Sequence, residues 1–289
     1  MPDPGPFGPG SSVIVLGLIS AITFGAADFG GGWTSRRAPL LGVVLGTQIV
    51  GMVIAGAIFA ARSEPLPSQA DLAWSVVAAI AGLAGVTALY RGLAVGRMGV
   101  VAPVTGVIGA SIPVVVGILT EGGPSGYVVA GIGLALVAVV LVSRVPGEHG
   151  QRSGIELAFG AGLAIGVFNT SLAQISAGAA FGPLAIIRLV DVAIVAVAIV
   201  ALRQPWRVGR SALPAVLLVG VLDMAGNASY LLATQAGELA VAAILSSLYP
   251  VSTVVLAAVL LRERVTGSHA VGIVTAVAAV VLIGVGRGG

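Results

Sequence analysis

Arg188, Asp191 and Asp223 each stand inside a long apolar run of the chain. On insertion scales a charged side chain at mid-membrane depth costs at least about 2.5 to 3.5 kcal/mol, so each of the three needs a chemical reason to be there. Arg188 and Asp191 are three residues apart, which sets them on one helical face within reach of each other. Such a pair is either a structural ion pair, whose truncation would strand a buried charge, or part of a solute site. Asp223 is followed by Asn227 and Tyr230 at helical spacing, one polar stripe that must face the protein interior. Asp223 has no cationic neighbour in its own run, so it is the carboxylate expected to carry a proton, whereas Asp191 is answered by Arg188.

Other polar groups extend this set. Thr47 and Gln48, then Asn169, Thr170, Ser171 and Gln174, then Ser246, Ser247, Tyr249 and Ser252 fall within apolar runs. Hydroxyls in helices commonly bond their own backbone, so Gln48, Asn169, Gln174 and Tyr249 are the stronger candidates for binding a substrate or ion. Pro250, directly after Tyr249, is the hinge candidate, because a proline removes one backbone hydrogen bond. Asp28 is expected to pair at the membrane interface with Arg36 or Arg37, eight and nine residues on. Glu121 and Glu263 are expected to cap or order loops at helix ends, with gating as the alternative.

Many chemistries are excluded. The chain has no Cys, and all 14 basic residues are Arg, so thiolate catalysis, Schiff bases and a phosphate-binding lysine are ruled out. His149 and His269 lie far apart in the sequence, so no metal site and no cofactor is expected. No HExxH or paired-aspartate motif is present, and the triplet Asp28, Phe29, Gly30 lacks every other kinase element, so the protein is not expected to be an enzyme. The net charge of +3 is scattered among apolar runs rather than gathered in a basic stripe, which argues against nucleic acid.

The elements that must position these groups follow from composition. Of 289 residues only 9% are charged and 57% are hydrophobic, the balance of an all-α integral membrane protein whose main partner is the lipid bilayer. Ten apolar runs are long enough to span: 12–33, 40–61, 72–94, 99–120, 125–143, 155–176, 183–202, 211–233, 239–261 and 267–286. Residues 1–11, rich in Pro and Gly, are expected to be a disordered tail. Eleven arginines fall in loops after odd-numbered runs, and only Arg62 and Arg287 lie on the other side. The bias of arginine toward the cytoplasm then puts both termini outside a multi-pass protein of the plasma membrane.

A shift of 141 to 144 residues superposes the second half on the first: Phe24 meets Phe168, Pro39 meets Pro183, and Gly126 meets Gly267. Each half, 12–143 and 155–287, holds five runs, so the second copy is expected to cross the membrane upside down, joined through a 144–154 linker. Inverted repeats suit a transporter with a site between the copies.

Several segments resemble the EamA-type family of the drug/metabolite transporter superfamily. In the first half the likeness rests on Ala88 to Ala94, with Tyr90, Arg91 and Gly92, and on Gly99 to Pro103. In the second half it rests on Tyr249 and Pro250, then Leu261, Arg262 and Glu263, then Gly267 and Gly272, with Arg188 where the family often carries an arginine. Val44 stands opposite Arg188, a departure from repeat symmetry. The resemblance implies a ten-helix secondary carrier, usually an exporter of small metabolites or drugs. With the intramembrane charges it leads to an expectation of alternating access, with protons as the candidate coupling ion. An uncoupled facilitator or pore and a non-transporting scaffold are the alternatives. Arg188 beside two aspartates suggests a zwitterionic solute such as an amino acid.

Overall fold

The computed structural model describes residues 9–96, 98–142, 154–260 and 267–287. Expectations that fall on residues 1–8, on most of the 144–154 linker, and on Arg97, His149, Arg262, Glu263 and Arg264 lie outside the described residues. Among the described residues the chain is helical throughout, with no strand. The helices are α1 (Pro9–Ser35), α2 (Leu40–Arg62), α3 (Gln69–Val95), α4 (Met98–Glu121), α5 (Gly126–Val142), α6 (Ile155–Ala173), α7 (Phe181–Ala201), α8 (Leu213–Ala236), α9 (Leu239–Ser246), α10 (Tyr249–Leu260) and α11 (Gly267–Arg287). The first helix takes in the last three residues of the expected tail.

Seven of these helices, α1 to α4 and α6 to α8, are long and apolar enough to cross a membrane, and the stretches 126–141, 239–253 and 270–279 are shorter and apolar. Their outward faces carry Val53, Leu119, Val197, Val200 and Leu218, all more than half exposed. A water-soluble bundle would bury such side chains, whereas lipid solvates them, and helices leave no backbone group unsatisfied in lipid.

Local chemistry sets the helix limits. Ser68 and Asp71 open α3 with a reciprocal capping box: Ser68 Oγ accepts from Asp71 N at 3.1 Å, and Asp71 Oδ2 accepts from Ser68 N at 3.0 Å. The left-handed Ser63 ends α2. The expected ninth helix is corrected to two. Pro250 has no N–H to offer the carbonyl of Ser246, so the α-ladder stops; Ser247 N bonds Ala243 O at 3.0 Å, Leu248 N bonds Leu245 O at 3.2 Å, and α10 starts afresh at Tyr249. No such break occurs at Pro113, which lies inside the continuous α4.

α1 is the central helix, packed on α8, α10, α9 and α3; α6 packs on α3 and α4, α2 on α7 and α8, and α5 on α11. Small residues permit these approaches. A Cβ at Gly25 would lie 2.4 Å from Tyr249 O of α10, and one at Gly162 would lie 2.7 Å from Ile108 of α4.

One end of the bundle is tied by carboxylates. Glu64 Oε2 accepts from the N–H groups of Ala180, Phe181 and Gly182 at 2.9 to 3.3 Å, capping the start of α7. Asp71 Oδ1 accepts from Ser176 N at 2.8 Å, and Gln235 Nε2 donates to Ser176 O and Ala179 O. Glu121 Oε2 accepts from Leu239 N at 2.9 Å at the start of α9. Each acid neutralises the exposed donors and positive dipole end of a helix or turn from the other half of the chain. The loop-ordering role expected of Glu121 is therefore seen in this form.

Candidate functional site

The intramembrane charges converge. Arg188 of α7 donates through Nη2 to Asp223 Oδ2 of α8 at 2.6 Å and through Nη1 to Asp191 Oδ2 at 3.5 Å. Nη1 also donates to Gln48 Oε1 of α2. Arg188 and Asp191 are 4% and 1% exposed, so this cluster is sealed from lipid. Gly51 of α2 makes room for it: a Cβ there would lie 3.0 Å from Arg188 Nε. The expectation that Asp223 has no cationic neighbour is thereby overturned; its partner comes from another helix, and its bond to Arg188 is shorter than that of Asp191.

Beside the cluster lies a cavity that is partly open at its mouth. Its walls come from α1 (Phe24, Asp28), α2 (Gln48), α3, α4, α6 (Phe168, Asn169), α7 (Arg188), α8 (Asp223, Asn227) and the α9–α10 break (Ser246, Ser247, Tyr249). Much of the polar wall is tied to the scaffold. Ser246 Oγ is 2.5 Å from Ser20 Oγ, Tyr249 OH donates to Ala102 O at 3.0 Å, and Asn227 Nδ2 donates to Asp223 O at 2.7 Å. Asn227 Oδ1 is buried without a partner.

Six of the candidates from sequence line the cavity: Gln48, Asn169, Arg188, Asp223, Asn227 and Tyr249. Asp191 stands behind Arg188 and anchors it. Two candidates are elsewhere. Tyr230 is packed among the apolar residues around Phe168 and Leu231, its hydroxyl unpartnered, because three further residues of α8 carry the stripe past the cavity. Gln174 is exposed, because α6 ends at Ala173 and the chain turns away there.

Residues 152–285 match the model of the EamA-like transporter family. That match covers the second half of the chain, from just before α6 to near the end of α11. The EamA-like region supplies Asn169, Arg188, Asp223, Asn227 and the helix break, while Phe24, Asp28 and Gln48 come from the part before it. Among 28 matching chains of solved structures is a crystal structure described only as that of a protein, 18% identical, covering 94% of this chain and 96% of that one with a TM-score of 0.73. That likeness establishes a shared fold across nearly the whole chain. No curated protein matches the sequence.

Asp28 is the site residue that sequence reasoning misplaced. It is 8% exposed and lines the cavity, while Arg36 Nη2 donates to Leu93 O and the Arg37 guanidinium lies 4.0 Å from the Trp33 ring centre. Interfacial pairing of Asp28 fails because α1 runs on to Ser35, which carries the arginines about two turns beyond it. The available signal was the spacing: Phe24 and Asp28 are four apart and share a face.

Proposed function

We propose that this EamA-like membrane protein is a secondary carrier, exporting a small metabolite or drug-like solute by alternating access. The observation that carries the reading is the interior cavity lined by both halves of the chain beside a buried polar cluster and a helix break. Discontinuous helices near the midplane, at the boundary of two repeats, are where carriers commonly bind solutes.

Ten crossings in two inverted five-helix units, with α9 and α10 forming one crossing, are the frame of this reading. The packing pairs support it: α1 on α8 exchanges with α6 on α3, whereas α2 with α7 and α5 with α11 pair across the axis. A second support is a matched contact. The Phe24 ring lies 2.6 Å from where a Cβ of Gly226 would be, and the Phe168 ring lies 2.7 Å from one at Gly82. Both pairs are related by a shift of 144 residues. The tied end, with Glu64 and Glu121 each reaching from the first half to the second, then acts as a closed gate.

Any proton coupling passes through the cavity carboxylates Asp28 and Asp223, of which Asp223 is already bound to Arg188. Pro250 serves as the hinge, and the arginine distribution places both termini outside the plasma membrane.

The test is counterflow in proteoliposomes preloaded separately with pooled amino acids, nucleosides or cationic dyes, with and without a pH gradient. Saturable exchange of one pool is expected. Leak of every pool would point to a pore, and silence from folded protein would point to a scaffold.

A further inference from the structure

The charges around the cavity do not balance. Arg188 is shared by Asp191 and Asp223. Asp28 is a third carboxylate, buried in the cavity wall, with no hydrogen bond or ion pair to any of the described residues. An ionised carboxylate in a dry interior needs a counter-charge. With Arg188 engaged, Asp28 is neutralised either by a proton or by a cation that enters the cavity, since no described residue supplies one.

A second observation points the same way. Asn227 is 2% exposed, lines the same cavity and presents a buried Oδ1 acceptor without a partner. A carboxylate and a spare amide oxygen both want donors or positive charge. Phe24, one turn before Asp28, together with Phe168 and Tyr249, adds three aromatic rings to the wall. Aromatic faces attract cations, most strongly when water is excluded. Among the described wall residues Arg188 is the cation; its two terminal nitrogens are taken by two acids and a glutamine, and its unpartnered Nε lies against Gly51, so they offer no free cation to an anionic group on the solute.

We propose that the cavity is an organic-cation site, in which Asp28 is the charge partner of a protonated amine or quaternary ammonium, Asn227 Oδ1 an accessory acceptor, and Phe24, Phe168 and Tyr249 its aromatic walls. The proposal rests on the carrier reading and narrows its solute class. It also replaces the zwitterion suggested by the sequence, because Arg188 is neutralised within the protein.

The test separates binding from transport. Equilibrium dialysis of the full chain in detergent against radiolabelled benzyltrimethylammonium is expected to show saturable binding, displaced by excess unlabelled cation but not by 2-phenylethanol, phenylalanine or uridine. Asp28→Asn is expected to weaken binding by about tenfold or more, the loss of one charge-assisted contact, and Asp28→Glu to retain most of it. Each variant is first checked for a single symmetrical size-exclusion peak. If Asp28→Asn does not fold, Asp28→Glu and the competition with the wild type decide. No saturable binding, displacement by phenylethanol, or undiminished binding in folded Asp28→Asn would overturn the proposal. The same preparations in vesicles keep the two readings apart. Cation binding without counterflow would sink the carrier and leave the site standing, whereas counterflow of phenylalanine or uridine without cation binding would do the reverse.

Discussion

At the scale of single residues, the Arg188 cluster behaves as a buried ion network with one cation and two acids. Removing one member of such a network leaves uncompensated charge, at a cost of about 3 to 5 kcal/mol. Arg188→Ala is therefore expected to lower the thermal midpoint in detergent sharply, measured by fluorescence of the three tryptophans. The two acids should differ. Asp223 meets Nη2 at 2.6 Å, whereas Asp191 sits 3.5 Å from Nη1 with its Oδ1 unpartnered. Asp223→Asn gives up the shorter charge-assisted bond and should cost more stability, by about 1.5 to 3 kcal/mol, than Asp191→Asn does. Equal losses in calorimetry would mean that the asymmetry of the distances carries no energy.

At the scale of elements, the discontinuity between α9 and α10 coincides with the missing N–H of Pro250, which leaves the Ser246 carbonyl without its α-helical donor. Pro250→Ala restores a donor for the Ser246 carbonyl and should join the two helices, with about 1 kcal/mol of added stability. Counterflow should slow at the same time if the break moves during transport. A higher midpoint with unchanged flux would mark the break as fixed. The matched aromatic contacts offer another measurement at this scale. Gly82→Ala and Gly226→Ala each drive a methyl group against a phenylalanine ring, at less than 3.0 Å as the chain stands. Each overpacking should cost about 1 to 3 kcal/mol, and the two losses should be alike if α3 on α6 and α8 on α1 are copies of one interface.

At the scale of the whole molecule, the tied end is the gate of the proposed carrier, and its bonds can be tested as such. Glu64 and Glu121 cap helices of the second half from loops and helix ends of the first. Losing one such cap of about 1 kcal/mol shifts a closed–open equilibrium by about fivefold. Because the chain has no cysteine, Asn169→Cys provides a single reporter in the cavity wall. Glu64→Ala combined with Glu121→Ala should accelerate labelling of that cysteine by a membrane-impermeant thiol reagent added on the tied side. Unchanged labelling would show that the carboxylates only order their loops.

Much of this molecule is set by local order along the chain. The apolar runs, their breaks at Pro, Gly and Arg, and the rarity of buried charge determine a helical membrane protein, because lipid admits no unpaired backbone and helices pair theirs within one segment. The same order marks Arg188, Asp191 and Asp223 as residues with a purpose, since their cost is local. Which charge meets which partner is not local. Asp223 looks alone along its helix and is bound to Arg188; Asp28 looks interfacial and faces the cavity; Gln174 looks internal and is exposed. Those outcomes depend on helix rotation, on where a helix ends and on which neighbour stands opposite. Packing of residues far apart in the sequence sets all three, and only the tertiary structure decided them.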